Sequence, residues 1–361
     1  MIKTLYPIRD TTLYQASESA NTSKDEILEI SKYVSSSFGP LAVTRPILQF
    51  NTTPLSASLS AQGINTLTTS GSLKYFLKLF ISKEEDIQRD YSLVVHPLRQ
   101  PWEGGTGRST STPIVTDGCS WKYRYSETTG NLWEPAGGRI FDSATYSHIQ
   151  TFTDVQGDIE VDVTDTVEKW HAGLLDNNGL LIKRSGSQET DSSIQGSLYY
   201  YSSNTNTIYS PRIEARYDDA SHAFTATSGS TITISDEIDI QPRLRPEYKQ
   251  NSQERIAIIT TQKNGARTQA GSVGSTFRSS LPQSSSYAII DNATGEYVYK
   301  HDQHATYIAR TGASEHCIDV DMNGLFPERY YAIEFKVNHY SGTSVIATRY
   351  YKSNTVFKVV R

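Results

Sequence analysis

Eight histidines are scattered along the chain. Only His301 and His304 stand close together, around Asp302, with Asp319 and Asp321 downstream. Imidazoles and carboxylates bind zinc when they converge, so strands that gathered these residues would build a metal site; left apart, they belong to a polar loop. Asp154, Asp158 and Asp162 form an oxygen-rich set of the kind Ca²⁺ takes, without helix–loop–helix spacing. Serines are abundant, but no GxSxG nucleophile elbow is present. The run Gly104-Gly105-Thr106-Gly107 resembles a phosphate cradle in composition. It follows Trp102-Glu103 and opens no helix, which predicts a flexible loop instead. Glu103, Asp117 and Asp142 would serve glycoside cleavage only if folding made two of them neighbours across a bond. Trp102, Trp121 and Trp133, in the same region, are the rings a sugar would stack on; otherwise they fill a core.

These residues are carried on a chain that reads as β-structure. Short alternating runs bounded by Gly, Pro, Asn and Ser recur: Ser72 to Ser82, Ser120 to Glu127, Ser197 to Ser203, Pro211 to Asp219, Tyr287 to Lys300 and Tyr330 to Tyr340. Asn292-Ala293-Thr294-Gly295 joins two such runs as a compact hairpin, its glycine free to take positive φ. Asn323-Gly324 reads as a second turn. Helical spacing appears twice. In Ser23 to Val34, Ile27, Ile30 and Val34 recur at three and four, although the same residues also suit a loop and strand. In the segment beginning at Val163, Asp165 and Glu168 have capping-box spacing, Val167 and Trp170 share a face, and Gly173 ends the helix.

The chain has 361 residues, enough for two or three domains. Its hydrophobic fraction is 37%, the balance being Ser, Thr, Gly and 23 Tyr, while there are only 2 Met; that favours exposed sheets over helices. The expected class is all-β: a jelly-roll-like sandwich over 1–217, a linker or β-arm over 218–245 marked by the prolines of Gln241 to Glu247, and an immunoglobulin-like sandwich over 246–361. A net charge of −5, from 34 basic and 39 acidic residues, gives no footprint for nucleic acid. Cys119 and Cys317 fall in different expected domains, so no disulfide framework is indicated and two thiols alone make no structural zinc site. The first residues lack a secretory signal and no apolar run reaches membrane-spanning length, so no membrane insertion is expected.

An ordered set of segments carries a resemblance. It comprises Asp10-Thr11 before Thr12-Leu13-Tyr14, Arg45 to Phe50, an edge-like strand from Lys74 to Ile81, and Pro101-Trp102-Glu103 followed by Trp121, Trp133 and Gly137-Gly138. It continues through Asp162-Val163-Thr164, Val167 and Trp170, Asn177 to Lys183, and the closing Pro211-Arg212-Ile213-Glu214. Over this N-terminal stretch the chain resembles the DNRLRE-type β-sandwich modules of extracellular carbohydrate-binding proteins and phage virion proteins. Elementary physics assigns the same residues folding roles: Trp170 closes one end of the sandwich, Asn178-Gly179 turns into a buried strand, and Asp162 and Thr164 cap backbone.

The resemblance, with the cysteine-poor composition and missing secretion signal, implies a non-catalytic phage virion component of neck, tail, baseplate or capsid surface. It would be made in the host cytoplasm, require no cofactor, and contact other virion proteins and its own copies. The second expectation is a carbohydrate-binding protein for a host surface polysaccharide. Exposed rings at Trp102, Trp121 and Trp133 favour the glycan; buried rings favour a scaffold.

Overall fold

The computed structural model describes residues 1–35, 39–66, 73–127, 131–153, 157–220, 237–263, 280–312, 315–341 and 344–361. Strands account for 48% of the chain and helices for 10%, in curled antiparallel sheets, so the class is all-β with a sandwich-like architecture. Two compact units emerge: Leu5–Glu214, and Met1–Thr4 together with Ala215–Arg361. The first four residues thus belong with the C-terminal unit and not with the stretch 1–217. Among the described residues no helix is long and apolar enough to cross a membrane.

β1 (Ile2–Leu5) opens the chain. The N-terminal unit then runs through β2 (Pro7–Tyr14), β3 (Ile27–Ser35), β4 (Gly39–Phe50), α1 (Thr53–Ala61), β5 (Leu73–Leu79), β6 (Ile81–Glu85), β7 (Asp90–Pro97), β8 (His148–Thr153) and β9 (Ile159–Asp162). After these come α2 (Thr164–His171), β10 (Leu180–Arg184), α3 (Ser187–Thr190), β11 (Gly196–Tyr201) and β12 (Arg212–Tyr217), whose last three residues count with the C-terminal unit. The large sheet has the order β6-β11-β3-β4-β10-β7-β8, with β2 also paired to β4; β5 lies between β12 and β9 in a smaller sheet, so it is not an edge strand.

Within Ser23 to Val34 the residues from Ile27 onward lie in β3 and those before it are loop, so the loop-and-strand alternative holds and the helix does not. Leu28 and Ile30 are buried at a spacing of two, and β3 pairs with β11, Ile30 opposite Leu198. That neighbour supplies the backbone partners and the apolar cover that decide between the two periods. The helix after Val163 does form, but its N-cap Val163 makes no side-chain cap bond. Asp162 supplies the acceptor instead, taking the Thr164 N–H at 2.9 Å, while Thr164 Oγ1 takes the Tyr75 N–H at 3.0 Å. Gly173, at φ +66, follows the helix end. α1 has no counterpart among the expected elements: its serine-rich run hides Leu55 and Leu59, which are buried at a spacing of four. Gly179, at φ +95, leads into β10, whose apolar residues are all buried. A Cβ there would lie 2.2 Å from Leu48 O, so only glycine fits.

The C-terminal unit contains β13 (Ile238–Pro242), β14 (Glu247–Lys249), β15 (Gln253–Gln262), β16 (Ser286–Asp291), β17 (Tyr297–Tyr299), β18 (Ala309–Arg310), β19 (Glu315–Asp321), β20 (Tyr330–Ser341) and β21 (Ser344–Val360). Its sheets have the orders β13-β15-β19-β18 and β14-β21-β20-β16-β17. Their shared core draws Ile240, Ile258 and Ile318 from one and Ile289, Phe335 and Phe357 from the other. β13 pairs with β15, so part of the expected linker is a sheet strand, while residues 221–236 of that segment lie outside the described residues. The hairpin at Asn292 to Gly295 is present: Asp291 Oδ1 accepts the Ala293 N–H at 2.8 Å, and Gly295, at φ +76, donates its N–H to Asp291 O at 2.8 Å.

Candidate functional site

The tryptophan-rich region between β7 and β8 is a loop layer over one face of β4 and β10. Ser120 to Glu127 contributes only an isolated bridge, Tyr123 to Leu132, where a strand was expected. Trp102, Trp121 and Trp133 are 1%, 6% and 3% exposed and pack with Leu13, Ile47 and Leu181. Trp102 Nε1–H donates to Asn178 O at 2.9 Å and Trp133 Nε1–H to Ser120 O at 2.9 Å, so the rings are buried with their polar edges satisfied. Arg9 and Arg45 each lie 5.0 Å from a ring centroid, over Trp102 and Trp121. Rings so covered offer no stacking face, which corrects the reading of these three residues as a sugar platform: they are core.

A cleft of about 420 Å³ adjoins Trp121 and is lined by Gln15, Lys32, Arg45, Glu189 and Asp191. Its charges already have partners within the chain. Lys32 Nζ meets Asp191 Oδ1 at 2.6 Å, and Glu189 receives Arg45 Nε at 2.7 Å and Lys183 Nζ at 2.6 Å. A ligand would have to displace half-buried ion pairs, which is costly. The cleft is built as a brace for the loop layer.

The glycine run is held, not flexible. Thr106 N–H donates to both Asp117 carboxylate oxygens, at 2.9 and 3.1 Å, its hydroxyl donates to Oδ2 at 2.6 Å, and Gly107 N–H donates to Asn21 Oδ1 at 3.0 Å. A Cβ on Gly105 would lie 2.3 Å from Asp117 Oδ1. Within the run Thr106 alone binds the carboxylate, and the glycines serve to let the loop pass close to Asp117 and Asn21. Glu103 and Asp142 are exposed. Asp10, of the Asp-Thr pair, is buried and accepts the Ser203 N–H at 2.6 Å and hydroxyl at 2.8 Å; burial still pushes its carboxyl up to about 6. Both cysteines are free and buried.

No group of three or more His, Cys, Asp or Glu side chains arranged to hold a metal occurs among the described residues. Asp158 and Asp162 are engaged by Ile81 N–H and by Thr164, and Asp154 lies outside the described residues. His301 turns away from the expected Asp319 and Asp321 set: its Nε2 lies 3.2 Å from Glu334 Oε1 and its Nδ1 lies 3.1 Å from Ser286 Oγ.

His301 sits at the edge of an exposed aromatic patch. Phe335 and Val337 of β20 are buried in the core, so strand alternation puts Glu334 and Lys336 on the outer face of their sheet. Register places Lys352 opposite Glu334 and Tyr350 opposite Lys336. The Tyr297 hydroxyl donates to Glu334 Oε1 at 2.7 Å. The rings of Tyr297 and Tyr350 flank the imidazole at centroid distances of 6.3 and 5.6 Å. Tyr297 and Tyr350 are 43% and 57% exposed, and Tyr330 and Val356 add exposed apolar area from β20 and β21. Serine, histidine and glutamate in one hydrogen-bonded chain are the inventory of a hydrolytic triad. Here Ser286 is 6% exposed and the tyrosines are what solvent reaches.

No family model matches this chain, and no curated protein matches it. The resemblance to DNRLRE-type modules therefore rests on the quoted residues alone. Tyr297, Glu334 and Tyr350 were not singled out by sequence reasoning. Their one signal was alternation within Tyr287 to Lys300 and Tyr330 to Tyr340, which marks a face without saying which face stays open.

Proposed function

We propose that this chain is a non-catalytic structural protein of a phage virion, a neck, tail, baseplate or capsid-surface component that acts in assembly and adhesion. The observation behind the reading is the outer face of the C-terminal sheet, where Tyr297, Tyr330, Tyr350 and Val356 are exposed while the inner face packs into the core. Exposed aromatic and apolar area of this kind marks interaction surfaces. The partners are other virion proteins and further copies of the chain, without nucleic acid and without membrane insertion. On the same reading the N-terminal unit is a jelly-roll-like sandwich and the C-terminal unit an immunoglobulin-like one. Light scattering after size exclusion, on the chain alone and mixed with particles from its source, tests the reading. Capture by the particle or a closed oligomer is expected, and a monomer that ignores the particle overturns it.

A carbohydrate-binding role is the second reading. It is favoured by the exposed tyrosine pair beside a carboxylate, not by the tryptophans.

A further inference from the structure

We propose that the outer face formed by β17, β16, β20 and β21 is a binding site for an acidic saccharide, with Tyr297 and Tyr350 as stacking rings and Glu334, Lys336 and Lys352 as polar contacts. The proposal gives a substrate class to the adhesive part of the reading above and rests on it.

The two rings are on the surface, and Tyr297 is held there by a hydrogen bond. Tyr297 is tied to Glu334 through its hydroxyl at 2.7 Å, and both rings pack against His301 at 6.3 and 5.6 Å. A sugar ring has an apolar C–H face and a rim of hydroxyls. Stacking it on tyrosine removes apolar area from water at roughly 25 cal/mol per Å², and ordered rings lose little entropy on binding. Glu334, 14% exposed beside Tyr297 and His301, is the carboxylate at this edge of the patch, and bonds from the hydroxyl rim to a charged acceptor are stronger than neutral ones.

Charge then selects the sugar. Lys336 and Lys352 lie on the same face as Glu334 by strand register. Burial, with Lys336 acting in the same direction, lowers the His301 pKa despite the opposing effect of Glu334, which disfavours the imidazolium. Two ammonium groups against one carboxylate leave the patch positive, which complements a uronate or sialate carboxylate. The cleft beside Trp121 has neither property, since its ring face is covered by Arg45 and its charges are paired.

The full-length chain should be titrated calorimetrically with a panel of uronate- and sialate-bearing oligosaccharides and their carboxyl-reduced counterparts. At least one acidic member is expected to bind, more weakly at high salt, with the reduced counterpart at least about tenfold weaker. Tyr350→Ala and Lys336→Gln are each expected to weaken it by a similar factor while the thermal melt stays unchanged. Failure of every acidic member to bind the parent chain overturns the site, as does binding that Tyr350→Ala and Tyr297→Ala leave intact or that the reduced sugars match. The particle-capture experiment separates the two ideas. Capture without saccharide binding removes this site and leaves the assembly reading; saccharide binding by a monomer that ignores the particle does the opposite.

Discussion

In the N-terminal unit the tryptophans of the loop layer each have an assigned neighbour: Arg9 over Trp102, Arg45 over Trp121, and a carbonyl for the Nε1–H of Trp102 and of Trp133. In the C-terminal unit the rings of Tyr297 and Tyr350 pack beside His301, and the Tyr297 hydroxyl also bonds Glu334, yet the two remain 43% and 57% exposed. Both regions combine aromatic rings with charged groups, and the difference lies in what covers them. Loops between β7 and β8 cover the first; among the described residues nothing comparable covers the second. The chain therefore uses one chemistry twice, once to build a core and once to display a surface, and substitutions should separate the two uses.

The largest separation is expected at Trp102. Trp102→Ala removes a fully buried ring with its hydrogen bond to Asn178 O, from a layer that cannot collapse onto the space because the glycine run and its Asp117 carboxylate hold it. The cost should be about 3 to 5 kcal/mol, read as a drop in the urea midpoint of the N-terminal transition. A loss below about 1 kcal/mol would mean the ring is not core and would dissolve the contrast.

Asp10 tests the interior of the same unit by pH. Burial raises its carboxyl to about 6 from an ordinary 3.8, so the folded chain holds that proton more tightly than the unfolded one. The stabilising contribution is complete below about pH 4 and is lost as pH rises through about 6. Two pK units correspond to about 3 kcal/mol at most. Asp10→Asn keeps an acceptor for Ser203 but cannot ionise, so the stability difference between variant and parent should change across pH 4 to 7. A difference that stays constant over that range would remove Asp10 as the source.

How much of this was legible beforehand depended on whether a residue's role was local. The Asn292 to Gly295 hairpin and the turn at Asn178-Gly179 follow from glycines that must take positive φ, and both were readable. The helix at Thr164–His171 was readable too, because Val167 and Trp170 repeat on one face. Ser23 to Val34 satisfied two periods at once, and pairing with β11, about 170 residues away, chose between them. The tryptophans show the same limit: an indole has one composition whether loops cover it or not. Glu334, Tyr297 and Tyr350 come from three strands, and no spacing within any one of them announces that they meet.

The smallest stability effect, and the sharpest test of the contrast, belongs to Tyr350. Its side chain is 57% exposed and touches the imidazole of His301 by its ring alone, so Tyr350→Ala opens no cavity. Surface changes of this kind remain within about 0.5 kcal/mol, and the melting curve of the C-terminal unit should superimpose on that of the parent. The large effect at Trp102 and the null effect at Tyr350 together would show that burial, and not aromatic content, divides the two regions. If instead Tyr350→Ala unfolds the unit, the ring is structural in the assembled sheet and the outer face is a continuation of the core. Then the tyrosines would need the same explanation as the tryptophans, and adhesion would have to be sought elsewhere on the molecule.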